Sequence, residues 1–132
     1  MCSETTAMAS VFNILTLIVA LITAFLYWIG LENYFFWYYP WYDIPIHILG
    51  GLTAGLWGCA LAARRKFKPW QALVFCLLIV IAVGCIWEIF EYLTGISREI
   101  GYWFDTIKDM VDDILGTMFA VVLYWLTYRR RP

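Results

Sequence analysis

The chain has 132 residues, 64% of them hydrophobic and 14% charged, with a net charge of −1. A soluble domain carries about a quarter charged residues, so most of this chain has lipid as its solvent. Nothing in that charge balance offers a surface to nucleic acid, and the length fits a single domain, residues 1–132.

In chain order, the tail MCSETTAMAS leads into VFNILTLIVALITAFLYWI. The tail has no Lys or Arg and no small-residue cleavage site follows, so residues 10–29 read as a span rather than a signal peptide. A spanning helix needs roughly 20 mostly apolar residues, and segments 44–63, 70–93 and 104–128 meet the same requirement. The expected fold is all-α: a polytopic membrane protein built as a four-helix transmembrane bundle. Arg64, Arg65, Lys66 and Lys68 lie between spans two and three, and Arg129, Arg130 and Arg131 follow span four. Cytoplasmic loops are enriched in such residues. Four spans put both clusters on one side, so both termini are expected to be cytoplasmic.

The opposite side differs in character. NYFFWYYPWYD, residues 33–43, is almost wholly aromatic and reads as an interfacial belt, as do Tyr102, Trp103 and Phe104. Of the four cysteines, Cys59, Cys76 and Cys85 fall in apolar runs. They read as buried small hydrophobes; no disulfide or thiolate metal site is expected from them or from Cys2.

Acidic residues gather on that aromatic side. Asp43 and His47 open span two, Glu88 and Glu91 end span three, and Asp105, Asp109, Asp112 and Asp113 open span four, with Glu99 in the preceding loop. At about 1.5 Å per residue, His47 stands roughly 25 Å above Arg64, Glu88 about 27 Å above Trp70, and Asp109 about 30 Å above Arg129. Three helices thus bring acids to one level. The spacings of three and four residues put each set on one helix face. Gly50, Ala54 and Gly58, Gly84 and Gly95, and Gly116 extend those faces with small residues that permit close packing.

Helix capping is a competing explanation for Asp43 and Asp105. Glu88 and Glu91 have no such explanation, because a helix C-terminus disfavours negative charge. A bound divalent metal would supply the missing positive charge. The alternatives are a proton-sharing network with Arg98 or Lys108, and simple solvation. The expected ligands are Asp43, His47, Glu88, Glu91, Asp109 and Asp113, with Asp105 and Asp112 in the same set. Carboxylates with one imidazole leave Mg, Mn, Ca, Fe and Zn undistinguished.

Asp43-x3-His47, then Trp87-Glu88-x2-Glu91, then Asp105-Thr106-x2-Asp109-x3-Asp113-x2-Gly116 resemble, in order and topology, the VanZ-like superfamily of small bacterial membrane proteins, and particularly its YjdF-like relatives. The resemblance covers about residues 41–120. Asp113 stands where the family usually has Asn, and Glu91 where VanZ-type proteins have Gln. Both departures add negative charge. The resemblance implies a small bacterial inner-membrane protein and supplies no reaction.

Three functions are weighed. The first is a metal-dependent enzyme acting on a lipid headgroup or lipid-linked envelope precursor, with His47 or Glu91 as general base. The second is a structural or sensory subunit with a cation-stabilised acidic core. The third is an ion or proton translocator, which needs an oligomer because ALVFCLLIVIAVG and MFAVVLYWL continue no polar path.

Overall fold

The computed structural model describes residues 2–95 and 102–129. Every described element is helical: α1 (Cys2–Glu32), a single turn α2 (Phe35–Tyr38), a 3-10 turn (Pro40–Tyr42), α3 (Asp43–Arg64), α4 (Pro69–Thr94) and α5 (Tyr102–Arg129). Four of them, α1, α3 with its preceding turn, α4 and α5, are long and apolar enough to cross a membrane. Their outward faces carry large apolar side chains, among them Leu21, Leu78, Ile86 and Phe119, as lipid solvation requires.

The helix α1 starts eight residues before the expected span. Its first turns contain no Pro or Gly, and Met8, Ala9 and Phe12 are buried against Leu56, Ala60 and Tyr124. That packing closes the basic end of the bundle. Tyr124 reinforces it by donating its hydroxyl to the Phe67 carbonyl at 2.7 Å. Cys59 and Cys76 are buried there with their sulfurs 3.8 Å apart as free thiols, while Cys85 is exposed on the outward face of α4.

The closest helix pair is α3 with α5. A Cβ on Gly51 would overlap the Asp113 backbone, and one on Gly116 would overlap the Ile48 carbonyl. With two hydrogens in place of side chains the backbones meet, and Thr117 donates to the Gly51 carbonyl at 2.9 Å. The register is one residue from the expected stripe: Gly51 and Gly55 make the contact, and Gly50 does not. Gly95 ends α4 in the left-handed conformation (φ 71°), and a Cβ there would meet nothing within 4 Å among the described residues.

The aromatic segment folds into a compact cap rather than an extended loop. Phe36 is buried, Tyr42 donates its hydroxyl to the Leu26 carbonyl at 2.8 Å, and Tyr34, Tyr38 and Trp41 face outward. The 3-10 turn runs straight into α3, so Asp43 is the first residue of the helix. The N-cap position belongs to Tyr42 and carries no side-chain cap bond. The carboxylate of Asp43 is therefore free for other partners.

Candidate metal centre

His47 is the hub of the acidic end. It is buried on α3, one turn after Asp43, and the glycine contact between α3 and α5 brings it against Asp109 and Asp113. Its Nδ1 lies 3.3 Å from Asp113 Oδ1. Its Nε2 lies 3.6 Å from Asp43 Oδ1 and 3.6 Å from Asp109 Oδ2. A neutral ring that donates Nδ1–H to Asp113 turns an Nε2 lone pair toward two carboxylates. Three acceptors facing one another are stable only with a proton or a cation among them. Two ligands each about 2.1 Å from a tetrahedral ion stand about 3.4 Å apart, close to the spacing found here.

Lys108 supplies positive charge from the other side. Asp43 turns Oδ2 to Lys108 Nζ at 3.5 Å, and Asp109 turns Oδ1 to it in a direct ion pair. Each carboxylate thus divides its oxygens, one to the lysine and one to the imidazole. Lys108 leaves the space beside Nε2 to other groups. It also lies 3.8 Å from Asp105 and 3.9 Å from Asp112. Asp105 is the most exposed member of the set. Asp112 is buried with an Oδ2 that accepts no hydrogen bond among the described residues.

The glutamates approach the same imidazole from α4. Glu88 is buried, and ligating atoms of His47, Glu88 and Glu91 lie within 4.8 Å of one another, as do those of Asp43, His47 and Asp109. Each glutamate has one oxygen fixed by a neutral donor. Thr106 Oγ1 donates to Glu88 Oε2 at 2.7 Å, and Trp87 Nε1 donates to Glu91 Oε1 at 2.9 Å. Such bonds orient a carboxylate without neutralising it.

The structure therefore brings Asp43, His47, Glu88, Glu91, Asp109 and Asp113 together around one ring. Asp105 and Asp112 stand off it, against Lys108. Arg98 and Glu99 lie outside the described residues. Sequence reasoning placed Thr106 in the last motif but gave it no role as the donor that orients Glu88. It also missed Gly51 and Gly55, whose four-residue spacing was equally legible.

A family model for predicted membrane proteins (DUF2238) matches residues 4–130. The chain belongs to that family. It is the family of the YjdF-like relatives that the motifs resemble. No curated protein and no solved structure matches the chain. In this DUF2238 chain, the matched residues include every member of the acidic cluster.

Proposed function

We propose that the protein binds a divalent cation between His47 Nε2, Asp43 and Asp109, with Glu88 and Glu91 beside it, and uses it in chemistry on a lipid headgroup or lipid-linked envelope precursor. One observation carries this reading: Asp43 and Asp109 each commit one oxygen to Lys108 and present the other to an imidazole anchored from behind by Asp113. An imidazole with carboxylates suits Mn or Zn, and Mg or Ca through the carboxylates. A bound cation supplies Lewis acidity, polarising a phosphoryl or carbonyl oxygen and easing ionisation of water.

The chain's residues have distinct roles in this reading. Asp113 holds the His47 ring. Thr106 and Trp87 hold the glutamates. Glu91 is half-buried where Glu88 is buried, and it has no lysine or arginine contact among the described residues, so it is the proton acceptor, with His47 a ligand. The positive-inside pattern puts both termini in the cytoplasm of a bacterial inner membrane and the acidic end at the outer leaflet. The whole chain, 1–132, is one domain in this view, and the VanZ-like superfamily is its wider kinship.

A second reading is favoured by Lys108, which touches Asp43, Asp105, Asp109 and Asp112. In it the acids are an internal ion-pair network of a structural or sensory subunit. Translocation has less support, because below Gly51 the described core is Leu56, Ala60, Cys59, Cys76 and Val80.

The test is reconstitution into vesicles of bacterial phospholipids and lipid-linked precursors, followed by mass spectrometry of the lipid pool. Headgroup turnover that needs Mn or Zn, stops with chelator and is lost in Glu91→Gln supports the proposal. A lipid pool unchanged by wild-type protein under all metals contradicts it.

A further inference from the structure

Beneath the acidic cluster lies a cavity of about 590 Å³, within the range that accommodates a small ligand. Helix α3 forms its back wall through Gly50, Gly51, Thr53 and Ala54, and α1 and α4 form its sides. These two side helices do not pack along their lengths. They meet at the top through the Tyr27 and Trp87 rings, 5.3 Å between centroids. Below that bridge Val83 and Trp57 line the cavity while about half exposed (45% and 47%), which marks a sideways opening into the bilayer. At the basic end the Phe12–Leu56–Tyr124 packing closes it.

The lining is apolar in spite of three threonines. Thr16, Thr23 and Thr53 each donate their hydroxyl to a carbonyl four residues back in their own helix, so methyl groups are left to line the space. Polarity is confined to the top, where His47, Asp113 and Tyr27 contribute. The Tyr27 hydroxyl is buried there with no hydrogen-bond partner among the described residues, a costly state for a phenol. Along α3 the cavity runs from His47 to Trp57, ten residues or about 15 Å. That is half of the about 30 Å hydrocarbon core, the depth of one leaflet.

We propose that this cavity seats one acyl chain of a membrane lipid, admitted sideways between α1 and α4, with the polar end of the chain bonded to Tyr27 and presented to the His47–Asp113 end. The proposal deepens the lipid-directed reading above and rests on it for the headgroup chemistry. The seat itself follows from a leaflet-deep apolar slot, open to lipid, with polar groups at one end.

The test uses full-length protein in vesicles containing phosphatidylglycerol with a mid-chain diazirine, photolysed without added divalent ion and mapped by peptide mass spectrometry. Adducts on the inward residues Thr53, Ala54 and Val80 are expected, together with those on outward Leu21 and Ile86 that any bulk lipid produces. Ala20→Phe narrows the slot from α1, away from the acids. It is expected to lose the inward adducts, keep the outward ones and keep the ion-free melting temperature of wild type in detergent, which shows that it folds. Adducts confined to outward positions in wild type overturn the proposal, as do inward adducts undiminished in Ala20→Phe. Inward adducts that vanish as protein density rises would assign the slot to a second copy and also overturn it. Because no ion is added, failure of the cation reading leaves this result unaffected.

Discussion

His47 Nδ1 stands 3.3 Å from Asp113 Oδ1, and both side chains are buried at the level where α3 and α5 touch backbone to backbone. The contact fixes the ring plane, and with it the direction of Nε2. Asp113 is thus an orienting group for whatever Nε2 binds. Asp113→Asn retains an acceptor for Nδ1–H and is expected to keep measurable Mn affinity. Asp113→Leu is expected to weaken it by about 10- to 100-fold, the usual loss on removing such a partner. Calorimetric titration of both purified variants checks this. Equal affinity in Asp113→Leu and wild type would contradict the orienting role.

The glycine contact positions the ring, so crowding it should disturb both stability and site. Gly51→Ala and Gly116→Ala each force a methyl into opposing backbone, with an expected cost of about 1–3 kcal/mol. Gly50→Ala is the control, since its Cβ would meet only Asp113 Oδ1 at an ordinary 3.8 Å. Thermal unfolding in detergent should rank Gly50→Ala near wild type and the other two well below. The reverse order would show that the close approach is wrongly located.

Lys108 separates the two functional readings. Without it, Asp43, Asp109 and Asp112 lose their shared cation. Lys108→Met is therefore expected to lower the melting temperature without divalent ions. Added Mn should restore it, because a ligand bound to the native state alone raises apparent stability. A melting temperature insensitive to Mn in both wild type and Lys108→Met would favour the purely structural network.

Ligation by an imidazole and carboxylates requires those groups to give up protons, so ion binding releases protons. Affinity should then fall as pH is lowered and rise as it is raised. Mn titrations at several pH values check the sign. Affinity that strengthens with added acid would contradict ligation by these groups.

The four spans and the level of the acids were legible because they depend on length, hydropathy and helical rise, which need no partner. What was hidden depends on how helices are turned about their axes. Gly50 and Gly51 are adjacent, about 100° apart around α3, and only the position of α5 decides which one lies in the contact. Asp43 reads as a cap because Asp before Ile-Pro commonly is one. The Pro40–Tyr42 turn continues into α3 and removes that need, which frees the carboxylate for His47 and Lys108. The burial of Met8 and Ala9 was masked by a polar tail that reads as flanking sequence. The division of oxygens between lysine and imidazole is a matter of side-chain torsions, to which spacing along a chain is blind.

The most direct measurement is the content of divalent ion per chain, by elemental analysis after Mn loading and desalting, for wild type and for Asp43→Asn/Asp109→Asn. Both substitutions keep the side-chain size and remove the charge that faces Nε2. About one ion per wild-type chain and almost none in the double variant is the expected result. Equal content in the two proteins, or none in either, would contradict a cation held by His47, Asp43 and Asp109.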